Sequence, residues 1–145
     1  MKTFAIAGIT AVVLASSLAL ASKAPKPKPY TRMAVVPAKD QAQVNPLAHD
    51  PNAVAAGRKL YDRHCGSCHG EAGENGRKGP SLRVPQIHTA SDGALFWAIT
   101  NGNVRAGMPV WSKLPEPQRW QVVTYLKSLG VSSSETQAAD PTPAR

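Results

Sequence analysis

The chain has 145 residues, a length that fits one domain with extensions at its ends. It carries 17 Lys and Arg against 9 Asp and Glu, so the protein is basic, with a formal net charge of +8. Its two cysteines, Cys65 and Cys68, are too few for the disulfide framework of a small secreted domain.

The first segment, residues 1–21, has the parts of a secretory signal peptide. Lys2 is followed by an uncharged, mostly apolar run, and the small residues 19–21 form a cleavage pattern before Ser22. Residues 3–21 are also just long enough for an uncleaved membrane anchor. Both readings predict a periplasmic or otherwise exported domain, anchored to the membrane in the second case.

Residues 22–44 mix proline and lysine without helical periodicity, which predicts an extended, semi-rigid tether. Their positive charge also allows a basic arm that contacts an anionic membrane surface or an acidic partner. Residues 132–145 are polar and contain proline, which predicts a disordered tail. The predicted domain is therefore residues 45–131.

Within this domain the sequence predicts three main helices and no strands, hence an all-α fold. The first covers 52–64 after a capping Asp50-Pro51 pair, the second 91–100 before Asn101-Gly102, and the third 116–129 with Gly130 as its C-cap. The third helix carries one apolar stripe, formed by Trp120, Val123, Leu126 and Leu129.

The stretch HCGSCHG at residues 64–70 is the sequence mark of covalent haem attachment. Two thiols three residues apart on a tight turn, Cys65 and Cys68, can each add to one haem vinyl group. His69 then lies under the ring centre, where its imidazole can bind iron as the proximal ligand.

Three other interpretations of the cysteine pair stay open at this point. A thioredoxin-like redox pair needs a neighbouring strand and a βαβ unit, for which the chain has no pattern. A structural disulfide would close a loop too short to stabilise much. A zinc site would need a fourth ligand beside Cys65, Cys68 and His69, and the candidates are His49, His64 and His88.

The second axial ligand is predicted to be Met108, the only methionine after the motif. A thioether is a soft ligand that raises the potential of haem iron. Gly107 and Pro109 flank it, which suits a rigid loop that approaches the ring closely. The alternatives are ordinary packing of Met108, ligation by His88 instead, or an open iron that binds small ligands.

Over about residues 50–131 the chain resembles the class I c-type cytochromes, in particular bacterial exported monohaem members. Gly57 and Tyr61 before Cys65 resemble the family's first helix, where a glycine and an aromatic meet the last helix. The segments GPSL at 79–82 and GMPVW at 107–111 resemble the family's proximal segment and methionine loop. Val122, Tyr125 and Leu126 resemble the facing surface of the last helix.

This resemblance implies a small all-α fold wrapped around one covalent haem c, with an exposed haem edge for electron transfer. It implies that the carbonyl of Pro80 orients His69. It also implies haem-wall roles for Leu82, Trp97 and Trp111, with core packing as the alternative, and a propionate contact by Arg83 or Arg105, with a solvated arginine as the alternative.

The predicted function is one-electron transfer without catalysis, from a dehydrogenase or reductase to an oxidase. The basic charge predicts that these partners dock through an acidic face. The alternatives are a haem subunit of a dehydrogenase complex and an open-site haem protein that binds small ligands. No nucleic-acid partner is predicted.

Overall fold

A computed structural model describes residues 30–135, and this part of the chain is all-α, as predicted. It contains one isolated β-bridge, between Asn103 and Met108, and no helix that is both long and apolar enough to cross a membrane. The predicted signal or anchor lies outside the described residues. The α-helices are α1 (Ala38–Gln41), α2 (Pro51–His64), α3 (Gly66–His69), α4 (Pro85–His88), α5 (Asp92–Asn101) and α6 (Glu116–Glu135).

The first two predicted helices begin at the capping residues that predicted them. The side chain of Asp50 accepts a hydrogen bond from the backbone N–H of Asn52 at 2.8 Å, and Pro51 opens α2. Ser91 Oγ accepts from the N–H of Ala94 at 3.2 Å and starts α5. These local interactions fix where each helix starts.

The last helix is longer than predicted, and Gly130 is not its C-cap. Helix α6 continues through Gly130 to Glu135, so the first residues of the predicted tail are helical. A Cβ at position 130 would overlap Nδ1 of His88 and lie 2.7 Å from its Cγ. The glycine therefore makes room for the His88 ring rather than ending the helix.

The core forms where α2 crosses α6. A Cβ at Gly57 would overlap the carbonyl of Gln121 and lie 2.9 Å from Cβ of Tyr125, so the two backbones touch at this point. The rings of Tyr61 and Tyr125 pack at a centroid distance of 5.3 Å. The predicted apolar stripe of α6 is buried in this core, together with Val122 and Tyr125.

The folded unit begins earlier than the predicted boundary at residue 45. Residues 30–45, here called the strap, form a 3-10 helix (Thr31–Val35), then α1, and lie against α5. Val36 is buried, and the side chain of Met33 packs against the core. These apolar contacts are why the second half of the predicted tether belongs to the domain.

Replacement of Gly57 by alanine is expected to separate α2 from α6. The added methyl group would overlap backbone that cannot rotate away, so we expect unfolding to become easier by about 1–3 kcal/mol, a typical cost of overpacking. Thermal denaturation of the holoprotein measures this effect. Lys59→Ala, an exposed position of the same helix, is the control and should change stability by less than about 0.5 kcal/mol. Equal melting of the two variants would contradict the account.

Candidate haem site

The cysteine motif follows directly on helix α2, which packs in the core. It ends at His64, and the N–H of Cys65 still donates to the carbonyl of Tyr61 at 2.7 Å. The short helix α3 then carries Cys68 and His69, and the buried Tyr61 donates its hydroxyl to the carbonyl of Gly70 at 2.9 Å. The motif is therefore fixed at both ends by the residue that fills the α2–α6 contact.

The ring of His69 is oriented by Pro80. Nδ1 of His69 lies 2.9 Å from the carbonyl oxygen of Pro80. Because a carbonyl can only accept, the hydrogen sits on Nδ1, and Nε2 keeps its lone pair for a metal. This arrangement has the orientation that the resemblance implied for these two residues.

The segment that carries Pro80 lies directly on the His69 ring. The N–H of Gly79 donates to the carbonyl of Cys68 at 2.9 Å, which closes the loop after the motif. A Cβ at Gly79 would lie 2.7 Å from both Nδ1 and Cε1 of His69. Only a glycine lets the backbone approach the ring this closely.

The two thiols are not bridged, and both cysteines are partly buried. Burial, followed by the nearby Cys68, raises the pKa of the Cys65 thiol to about 11. A redox-active Cys-x-x-Cys pair instead needs a thiol pKa lowered towards neutrality. Among residues 30–135 no three His, Cys, Asp or Glu side chains form a group that could hold a metal ion.

Met108 sits on a short, closed loop. Asn103 and Met108 exchange two backbone hydrogen bonds, at 2.9 and 3.0 Å, and Gly107 turns the chain with φ of 90°. The side chain of Met108 is only partly buried and is not among those packed against the core in the described residues, unlike Met33. Ordinary core packing therefore does not explain Met108.

Two predicted haem-wall residues lie near the motif, and the third, Trp97, has a described contact with the strap. Leu82 and Trp111 are partly buried at the edge of the core, and Trp111 packs on His64 at a ring distance of 5.1 Å. For Trp97 the described contact is with Arg32, whose Cζ lies over the indole ring, 4.8 Å from the ring centroid. This contact is with the strap, so the haem-wall role of Trp97 has no support in the described contacts.

The structure also places the two candidate propionate contacts, Arg83 and Arg105, and the alternative axial ligand, His88. Arg83 Nε pairs with Glu74 at 3.5 Å, and Arg105 is exposed beside Met108 in sequence. His88 is partly buried, its Nδ1 has no hydrogen-bond partner among the described residues, and its ring rests on Gly130. Burial, and then the charges of Lys127 and Arg83, lower the pKa of His88.

The chemistry of this donor set fits a covalent haem. Two unbridged thiols precede an imidazole whose Nε2 is available, and Pro80 holds that tautomer. Leu82 and Trp111 are partly buried apolar residues near the motif, and among the described residues Met108 is not one of those packed against the core. Each property is one that a haem held by thioether bonds and two axial ligands requires.

Sequence reasoning missed two hydrogen bonds that hold this site. Tyr61 was identified as a packing residue, but its hydroxyl also fixes Gly70. Tyr30 was placed in the tether, but its hydroxyl donates to the carbonyl of Ser81, next to Pro80. An aromatic residue in a segment of proline and lysine was the only signal that pointed to the second contact.

Comparison with known proteins identifies the family of this chain. A family model described as cytochrome c oxidase, cbb3-type, subunit III matches residues 52–126, which is just over half of the chain. The chain is similar to the subunit CcoP of the cbb3-type cytochrome c oxidase of Azospirillum sp. (strain B510), with 34% identity over 97 residues. This alignment covers 60% of the chain and 32% of the subunit.

The chain is also similar to the quinohemoprotein alcohol dehydrogenase ADH-IIG of Pseudomonas putida. These two are 34% identical over 93 residues, which are 62% of this chain and 12% of the dehydrogenase. The chain thus spans only a minor part of either curated relative. A solved structure, cytochrome cL of Methylophaga aminisulfidivorans, matches with a TM-score of 0.49 and 24% identity, over 68% of this chain and 72% of that one.

Replacement of Gly79 by alanine is expected to displace the His69 ring. The new methyl group would lie 2.7 Å from two ring atoms, so the ring or the Pro80 segment must move. We expect a lower yield of haem-bearing protein and an altered Soret spectrum in the fraction that forms.

Gly66→Ala is the matched control, since a Cβ there would meet its nearest neighbours at 3.8 and 3.9 Å, in ordinary contact. It lies within the same motif and should keep the yield and the spectrum of the unaltered protein. An unchanged spectrum in Gly79→Ala would contradict the close approach of the loop to His69.

Proposed function

Because the chain belongs to the c-type cytochrome family described as cytochrome c oxidase, cbb3-type, subunit III, we propose that it binds one covalent haem c and transfers single electrons between exported redox enzymes. The observation that carries the proposal is the hydrogen bond from His69 to the Pro80 carbonyl, directly after two unbridged cysteines. It leaves one imidazole nitrogen available for iron.

Four side chains would hold the cofactor. Cys65 and Cys68 would form thioether bonds to it, and His69 and Met108 would be the two axial ligands of its iron. When bound, the haem supplies a one-electron couple between ferric and ferrous iron. Pro80 keeps His69 in the required tautomer, and the hydrogen bonds between Asn103 and Met108 hold the loop that presents the thioether.

This ligand set favours a carrier over an enzyme. With His69 and Met108 both bound, no substrate can reach the iron, so the chain has no place for bond-making chemistry. A methionine ligand also raises the reduction potential, which suits an electron acceptor placed late in a respiratory chain. The open-site alternative requires that Met108 does not bind.

The charge around the motif supports an acidic docking partner. Arg63 lies in the last turn of α2, and Arg77 and Lys78 lie in the loop that closes on Cys68. All three are exposed, and none makes a salt bridge within the described part of the chain. Such cations raise the association rate with an acidic surface more than they raise affinity.

The proposed location is the periplasm, and the proposed partners are a dehydrogenase or reductase as donor and an oxidase as acceptor. A second candidate is a haem-bearing unit of one larger oxidoreductase complex. It is favoured by the two curated relatives, which by name are an oxidase subunit and a dehydrogenase. A free carrier is recovered as one small species, whereas a subunit is recovered with its enzyme.

Replacement of Met108 by alanine tests the ligand set. We expect the haem to remain attached, the midpoint potential to fall, and the ferrous protein to bind carbon monoxide, because one axial position is then open. A spectroelectrochemical titration and a carbon monoxide difference spectrum measure these changes.

Met33→Leu is the matched control, since that thioether packs against the core and a volume-conserving change there is tolerated. It should keep the original potential and exclude carbon monoxide. If Met108→Ala also kept the potential and excluded carbon monoxide, Met108 would not be a ligand, and ligation by His88 would replace the proposal. If the unaltered ferrous protein already bound carbon monoxide, the open-site alternative would replace it.

A further inference from the structure

The strap contacts the rest of the folded unit near its start, in its middle and at its end. A Cβ at Gly93, in the first turn of α5, would overlap the carbonyl of Asp40 and lie 3.0 Å from Cβ of Gln43. At the end of the strap, the buried side chain of Asn45 donates to Oγ1 of Thr124 at 2.9 Å. At the start of the strap, the guanidinium group of Arg32 lies over the ring of Trp97. The strap is thus a fixed part of the domain.

Tyr30, the first residue of the strap, reaches the segment that orients the proximal histidine. Its hydroxyl donates to the carbonyl of Ser81, the residue after Pro80. Burial raises the pKa of Tyr30, which keeps the hydroxyl protonated as a donor. Its backbone has φ of 71°, a costly conformation for a residue other than glycine, so the surrounding contacts must hold it there.

The same segment is held from its other side by the loop after the motif. The N–H of Leu82 donates to the carbonyl of Gly73 at 2.8 Å, and Oγ of Ser81 donates to the same carbonyl at 3.3 Å. Tyr30 therefore completes a clamp in which Ser81 lies between the strap and Gly73. The Pro80 carbonyl, which accepts from His69 Nδ1, lies one residue before this clamp.

We propose that Tyr30 is a positioning residue for the proximal ligand, which acts through Ser81 and Pro80 on the Nδ1–H of His69. The inference rests on the proposed function, since it concerns an iron-bound His69. A firmly held carbonyl draws the Nδ1 hydrogen and makes Nε2 a stronger donor, which stabilises ferric iron and lowers the potential. Tyr30 lies outside residues 52–126, so the contact is an addition to the matched family region.

The experiment uses the full-length exported holoprotein and the variant Tyr30→Phe, which keeps the ring and removes only the donor. Two quantities are measured: the midpoint potential, and the hydrogen-exchange rate of the His69 Nδ1–H in the ferrous protein by NMR. We expect a higher potential and about fivefold faster exchange, the factor that corresponds to one hydrogen bond of about 1 kcal/mol.

Tyr125→Phe is the matched control. This variant also loses a hydroxyl, but no hydrogen bond of that hydroxyl is seen among the described residues, and the Tyr125 ring packs on Tyr61 at the α2–α6 contact. It should keep the potential and the exchange rate of the unaltered protein, whatever its effect on the melting temperature.

The outcomes separate the positioning role from the proposed function. A shift of both quantities in Tyr30→Phe alone supports the proposal. If neither quantity moves, or if both variants shift alike, the positioning role is overturned, while an intact His/Met spectrum leaves the proposed function standing. If the unaltered protein carries no covalent haem, the positioning role and the proposed function are both contradicted.

Discussion

The hydrogen bond between Nδ1 of His69 and the carbonyl of Pro80 is the constraint on which the site depends. It needs a backbone segment to lie against an imidazole ring, and three other features of the chain serve that approach. Gly79 has no Cβ that would strike the ring, and its N–H closes the loop onto Cys68. The motif itself is carried by α2, whose position is set by the backbone contact of Gly57 with α6. Both glycines therefore have the same role: the absence of a side chain allows close contact. At Gly57 the contact is between two helices, and at Gly79 it is between a loop and a ring.

The parts that could be predicted are those whose cause is local in sequence. Asp50 and Ser91 cap the helices they precede, because a side-chain oxygen at this position satisfies a backbone N–H two or three residues ahead. The apolar stripe of α6 follows from helical periodicity. The cysteine motif predicts its chemistry because the spacing of two thiols and one imidazole is contained within a single turn. Gly57 and Tyr61 could be assigned to a helix crossing from the family resemblance, and both lie at that crossing in the structure.

The parts that could not be predicted depend on contacts between distant segments. A run of prolines and lysines has no periodicity, so nothing local shows that Val36 is buried or that Tyr30 reaches Ser81, fifty-one positions ahead. Gly130 has the local signature of a helix end, yet its role is to accommodate His88, a residue from another helix. Trp97 was assigned to the haem wall from the family resemblance, and its contact with Arg32 of the strap could not be predicted from the local sequence. In each case the contact joins segments that are far apart in the sequence.

The central claim is that the motif at residues 64–70 holds one haem through two thioether bonds. The most direct test is the intact mass of the purified exported protein under denaturing conditions, from a host that attaches haem to such motifs. We expect the mass of the polypeptide, beginning at Met1 or at Ser22, plus one haem. The haem should be retained after unfolding and lost when Cys65 and Cys68 are both replaced by alanine. A mass equal to that of the chain alone would contradict this claim and leave the thiols without the role assigned to them here.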